Sequence, residues 1–222
     1  GTATAANSAG GGGTLNRETP GNTNRFDEFR YDPMNPVPTR GGPAFSTVEP
    51  AHPPGPVNQR DVESRSDVLV YTSAALRAGL RIAGPLSAEL YVSSSARDTD
   101  LVVKLVDVRP DGSAVNIQEG ALRMRYRDGF SQPALMKPGE VYRAKIDMRA
   151  IAYYLPPGHR LRVQVSSSNF PRLERNLNTG GNNFDETVGV IAVNRVYTTR
   201  DYASAVLIPE WPEVPPTEAR AA

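Results

Sequence analysis

Between residues 61 and 210, apolar and polar side chains alternate with period two in one segment after another, which is the signature of half-buried strands. LSAELYVSSS (86–95) sets Leu86, Ala88, Leu90 and Val92 on one face. ALRMRYR (121–127) alternates Leu122, Met124 and Tyr126 with Arg123, Arg125 and Arg127. VYRAKIDM (141–148) alternates Tyr142, Ala144, Ile146 and Met148 with Arg143, Lys145 and Asp147, and LRVQVS (161–166) alternates Leu161, Val163 and Val165 with Arg162 and Gln164. DVLVYTS (67–73), VGVIAVNRVY (188–197) and AVLIPE (205–210) complete the set. LVVKLVDV (101–108) is apolar on both faces, as an interior strand is. RPDG (109–112) reads as a turn. MRAIAYYL (148–155) has room for one helical turn, and no longer amphipathic helix is present. About eight strands of this kind predict an all-β fold, a two-sheet antiparallel jelly-roll sandwich of galactose-binding-domain-like type.

The first sixty residues have no such period. GTATAANSAGGGG (1–13) is a flexible, glycine-rich start. YDPMNPVPTRGGP (31–43) and AHPPGPVNQR (51–60) hold seven prolines, which lack a donor and fix φ, so neither is a central strand. Residues 14–60 are therefore expected as a long Pro/Gly-rich extended coil laid over a surface, anchored by Phe26, Phe29, Tyr31 and Phe45. Residues 61–210 carry the strands, and 211–222 form a C-terminal tail.

Composition narrows the chemistry. The net charge of +1, from 25 basic and 24 acidic residues, gives no general attraction to nucleic acid or an anionic membrane. There is no cysteine, which removes disulfides, thiolate metal sites and thiol nucleophiles. The first thirteen residues lack the basic and apolar regions of a signal peptide, and no apolar run is long enough to span a bilayer. The compartment is not fixed by these features.

HRLRVQVSSSNFPRLERN (159–176) has the residue types of a serine-hydrolase triad. On an extended strand, however, His159 and Ser166 lie roughly 20 Å apart. The chain has no Gly-x-Ser-x-Gly nucleophile elbow. His159 is therefore read as a turn residue after PPG (156–158), and Ser166–Ser168 as a strand end. Asp98 and Asp100 are weak candidates for a calcium site, since hard cations take clustered oxygens; the competing reading is a turn cap before a strand. The basic alternation at Arg123, Arg125, Arg127, Arg143, Lys145, Arg160 and Arg162 fits a stripe for an anionic glycan or nucleic acid or, more simply, the solvated face of a sheet. Tyr153, Tyr154 and Trp211 suit either a sugar-stacking platform or, as preferred here, core packing. NFPRLERNLNTGGNNF (169–184) is long for a loop, and Phe170, Arg172, Arg175 and Asn176 are its candidate binding residues.

FRYDPMNPVPTRGG, DVLVYTS, LYVSSSARDTDLVVKLVDVRPDG, PGEVYRAKIDM and GHRLRVQVSSSNFPRLERNLNTG together resemble, in this order, the cocaine esterase and X-Pro dipeptidyl-peptidase group of serine hydrolases, the CocE/NonD type. The resemblance runs over about residues 7–210 and is to the C-terminal jelly roll of those enzymes. It implies that the Ser-Asp-His triad lies upstream, in an α/β-hydrolase domain, so no catalytic residue and no cofactor is carried over. The Gly-rich start resembles a segment that in the family follows a first jelly-roll strand. The chain is thus expected to begin inside the domain, as a cut expression product, a truncated gene product or a processed fragment, leaving an edge that needs cover or self-pairing into a homo-oligomer. The implied role is to brace the upstream hydrolase and cap domains of the same parent through the 166–184 loop and the proline-rich 31–60 segment. The opposing reading is a carbohydrate-binding jelly roll with structural calcium. A standalone esterase would need a nucleophile that the sequence does not supply.

Overall fold

The computed structural model describes residues 6–7, 9–10, 12–21, 25–43 and 53–212. Phe45, most of the glycine-rich start and nearly all of the C-terminal tail lie outside the described residues. Two antiparallel sheets stack as a sandwich. The larger sheet runs β1 (Phe26–Tyr31), β8 (Ala192–Tyr197), β3 (Leu80–Ser94), β6 (Tyr142–Leu155), with β9 (Ala205–Leu207) also paired to β3. The smaller sheet runs β2 (Leu69–Thr72), β7 (Arg160–Ser166), β4 (Asp100–Val108), β5 (Ala114–Arg123).

Leu86, Ala88, Leu90 and Val92 of β3 and Ala144, Ile146 and Met148 of β6 meet Leu101, Val103 and Leu105 of β4 and Leu161, Val163 and Val165 of β7 in one core. All nine residues of β4 are buried, so the strand must be covered on both faces. The inner face meets the core. The outer face, with Val106 and Val108, lies on the side served by residues 37–43 and 53–63, whose Val37 and Val62 cluster with Val68 and Val70. The proline-rich region is thus a wrap over the smaller sheet. It is not coil throughout: Phe26–Tyr31 forms β1, paired with β8 from Phe26↔Tyr197 to Tyr31↔Ala192, and Arg60–Glu63 forms one turn of α-helix, α1.

Two strand regions depart from the periodicity reading, and both contain bulges. MRAIAYYL forms no helical turn but continues β6. Pairing jumps from Ser87↔Asp147 to Pro85↔Ala150, so two residues of β6 face one of β3, and the inward side chains shift from Ile146 and Met148 to Tyr153 and Leu155. Pro85, without an N–H, sits where the ladder breaks. β5 likewise carries an extra residue between Asn116 and Gln118, which hides a strand that alternation does not reveal. It ends at Arg123, and Met124–Tyr126 turn as a 3-10 helix where a strand was expected. β8 begins only at Ala192, leaving 188–191 to the preceding loop.

Tyrosine hydroxyls tie the two sheets together at their margins. Tyr71 of β2 donates to Asp27 of β1 at 2.9 Å, and Tyr153 of β6 donates to Asp107 of β4 at 3.0 Å. Burial pushes the Tyr71 hydroxyl well above its ordinary pKa and raises Asp27, so the first bond pairs a neutral donor with a costly buried carboxylate. The outer edge of β2 is covered in cis: Val70 N donates to Ala6 O, Thr72 N to Gly13 O, and Leu15 N to Thr72 O. On the opposite side β5 and β6 close on each other at Gly120, where an added Cβ would stand 2.4 Å from Asp147 O. Replacing Gly120 by Val is expected to lower the unfolding free energy by about 2 kcal/mol or more, read by urea titration. Gly21→Ala, with nothing within 4 Å of its added carbon, serves as the neutral control.

Candidate docking site at the 166–184 loop

After β7 the chain leaves the smaller sheet through Ser166, Ser167, Ser168 and Asn169, all buried. The serines bond away from His159. Ser166 Oγ donates to Ser168 O, Ser168 Oγ accepts from Val37 N at 2.8 Å, and Ser167 Oγ accepts from Asn194 Nδ2 at 2.8 Å. His159 instead pairs through Nδ1 with Asp107 Oδ1 at 2.7 Å, at the margin also held by Tyr153. The carboxylate–imidazole half of a triad is present, but it serves the turn before β7.

Asn176 organises the loop. Its amide nitrogen donates one hydrogen to Asp98 Oδ2 and one to Asp100 Oδ1, both at 2.8 Å. Its side-chain oxygen accepts from Asn178 N at 2.9 Å, and its carbonyl accepts from the Tyr31 hydroxyl at 3.1 Å. The arginines of the alternating run close the same network. Arg125 Nε meets Asp98 Oδ2 at 2.7 Å and its Nη2 donates to Gly181 O; Arg123 Nε meets Asp100 Oδ1 at 2.9 Å and its Nη2 donates to Glu174 O. These are not solvated sheet residues: Arg123 at the end of β5 and Arg125 in the 3-10 turn that follows each reach the loop beside a buried carboxylate. Arg162 does the same for α1, meeting the fully buried Glu63 at 2.6 Å. Burial pushes the Asp100 carboxyl up, offset by the Arg123 hydrogen bond. Asp98 and Asp100 are thus engaged by Arg125, Arg123 and Asn176, and no group of three or more His, Cys, Asp or Glu suited to a metal occurs among the described residues.

The four candidate residues of the loop divide. Phe170 is 37% exposed, and the Arg175 guanidinium lies 5.9 Å over its ring while donating to Pro33 O. These two form a surface with Met34, which is 63% exposed. Asn176 is fully buried and presents nothing outward, and Arg172 turns inward to pair with Glu119. Both position the loop, Asn176 wholly from inside and Arg172 with its side chain 21% exposed.

A second buried cluster was not legible from spacing. Glu119 of β5 takes Arg172 and Asn169 Nδ2 on Oε1, while its Oε2 finds no hydrogen bond and faces Lys104 Nζ of β4 at 3.9 Å. Lys104 Nζ reaches Gln59 Oε1 at 3.5 Å, and Gln59 Nε2 donates to Arg40 O and Val57 O. The cluster joins the wrap, the sheet and the loop. Burial, with the Arg172 charge second, pushes Lys104 down to about 8. The one signal in the sequence was a lone lysine inside LVVKLVDV.

Away from the loop, Tyr153 packs partly against the core as expected, while Tyr154 and Trp211 are largely exposed. They line one open groove with Arg81, and Trp211 is 57% exposed. No helix among the described residues is long and apolar enough to cross a membrane.

Comparison with known proteins gives a consistent answer. Residues 3–207 match the family of the X-Pro dipeptidyl-peptidase C-terminal non-catalytic domain. The chain is 44% identical over 208 residues to the cocaine esterase of Rhodococcus sp. (strain MB1 Bresler), covering 92% of this chain and 35% of that one. It superposes on an aminopeptidase from a marine sediment Thaumarchaeota archaeon with a TM-score of 0.84 at 32% identity, covering 93% of this chain and 36% of the other. An alpha-amino acid ester hydrolase aligns with a TM-score of 0.81 at 30% identity, with the same coverage of 93% and 36%. The chain spans about a third of the length of these relatives.

Two outcomes are expected from the site. Asn176→Ala removes the donor shared by two buried carboxylates and should cost about 2–3 kcal/mol of unfolding free energy by urea titration; a loss under about 0.5 kcal/mol would show that the loop holds without it. With Lys104 depressed from 10.5 to about 8, the native state binds fewer protons than the unfolded chain between those values, so this residue makes stability rise with pH across that window. Lys104→Met should flatten that rise, measured as unfolding free energy at half-unit pH steps.

Proposed function

The chain belongs to the family of the X-Pro dipeptidyl-peptidase C-terminal non-catalytic domain, and from that membership we propose that it braces the catalytic and cap portions of a larger CocE/NonD-type serine hydrolase. The parent would hydrolyse esters or amides, or release X-Pro dipeptides, with its nucleophile in the upstream portion. The observation that carries the bracing role is the hydrogen-bonded loop that holds Phe170 and Arg175 at the surface beside Met34. A loop whose shape is already fixed loses little conformational freedom on docking. Aromatic and arginine side chains are also the types enriched where protein surfaces meet.

Two measurements test the proposal. A fluorophosphonate serine probe, read by intact mass, should leave this chain unlabelled; a stoichiometric adduct would place a reactive serine here and end the non-catalytic reading. In the full-length hydrolase carrying this chain, Phe170→Ala with Arg175→Ala should cut the half-life of activity at elevated temperature while leaving the initial rate near its starting value. An unchanged half-life would remove these residues from the bracing surface.

A further inference from the structure

The most exposed apolar side chains of the loop region lie beyond the four residues that the sequence singled out. Phe184 is 87% exposed, Val188 76% and Val190 51%. Single exposed apolar residues are ordinary, but several on one segment mark a site where something binds.

This segment is held in place by its backbone and its polar side chains. Val190 N donates to Leu177 O, and Asn178 Nδ2 donates to Val190 O at 2.7 Å. Asp185 N and Glu186 N both donate to Asn182 O. Asn183 Nδ2 donates to Arg175 O at 3.0 Å. The two acidic residues are tied within the loop, Asp185 by Asn182 Nδ2 and Glu186 by the Thr179 hydroxyl. Phe184, Val188 and Val190 face outward with exposed Asn182, Asp185 and Thr187 among them, and the Asp185 carboxylate keeps the Asn182 amide as its partner when the segment is covered.

The segment is also continuous with the Phe170–Arg175 surface. Gly189 lies against Pro33, where an added Cβ would come within 2.9 Å of the ring, and Pro33 O accepts from Arg175, whose guanidinium covers Phe170.

We infer that Phe184, Val188 and Val190 form a preformed apolar anchor that seats in an apolar groove on the hydrolase portion of the same polypeptide. This rests on the bracing reading above and extends it to a second segment of different chemistry. The occupant follows from two observations: the surface adjoins the proposed bracing residues, and about two thirds of the length of each relative lies outside the region matched by this chain.

The test uses Phe184→Ser with Val188→Ser, in this chain alone and in the full-length hydrolase that carries it. Because both side chains are exposed, the isolated chain should keep its melting temperature and remain monomeric by light scattering. The full-length enzyme should lose activity on heating at least about tenfold faster, a lower bound on the effect of uncovering two buried apolar side chains. Equal inactivation rates in wild type and variant would overturn the anchor while Phe170→Ala with Arg175→Ala still tests the bracing reading separately. A wild-type isolated chain that dimerises, and whose dimer the substitutions dissolve, would make a second copy the occupant and overturn the inference. Trp211→Ser, in the groove elsewhere on the surface, is the control for a general effect of removing exposed aromatic area.

Discussion

The two-sided burial of β4 is the constraint on which the rest depends. A strand with nine buried residues at the centre of a sheet has no face left for water, so the smaller sheet needs a cover. The sandwich supplies the inner cover and the proline-rich region the outer one. Proline suits that task, because an extended segment with few free donors can lie across a sheet without competing for its ladder. Covering the outer face also buries Lys104 and Glu119, and their needs are met partly from the wrap through Gln59 and partly from the loop through Arg172 and Asn169. Core, wrap and loop are therefore one mechanical unit.

The loop shows how polar residues can do what an apolar core does elsewhere. Its anchors are carboxylates buried at and just before the start of β4, an amide from the loop, and arginines from the end of β5 and the 3-10 turn after it. Each component would be costly to bury alone, and together they satisfy one another. Geometry of this kind is specific: an amide donating to two carboxylates fixes both distance and direction, while apolar contact fixes mainly distance. A surface intended to meet another rigid surface gains from that precision.

Much of the sandwich could be read from period-two patterns, and the failures have physical causes. The second half of β3 and the first half of β6, which pair with each other, follow the rule because their ladder is regular, and β4 reads as interior because it is apolar on both faces. The bulges at Pro85/Met148–Arg149 and at Ile117 switch which parity faces inward, so the second half of β6 resembled a helical turn and the first half of β5 resembled coil. β1 was missed because proline-rich flanks dominate its neighbourhood, although FDEFRY itself alternates buried Asp27, Phe29 and Tyr31 with less buried Phe26, Glu28 and Arg30. At the candidate site, the sequence singled out the loop as a whole. It did not separate Phe170 and Arg175, which face out, from Arg172 and Asn176, which face in, because that division depends on carboxylates more than fifty residues away in the chain. Family resemblance placed the chain where spacing alone stopped.

The pairing of β1 with β8 also bears on how the domain is assembled. Phe26 finds its neighbour at Tyr197, and Tyr31 reaches Asn176, so the earliest strand waits for nearly the last. Closing such distant contacts is slow, since most of the chain's entropy must be surrendered before they form. During synthesis on a ribosome, β1 emerges unpaired and stays so until Tyr197 has left the exit tunnel. Its alternation of charged and aromatic residues then acts as protection, because a strand carrying Asp27, Glu28 and Arg30 is a poor template for aggregation while it waits.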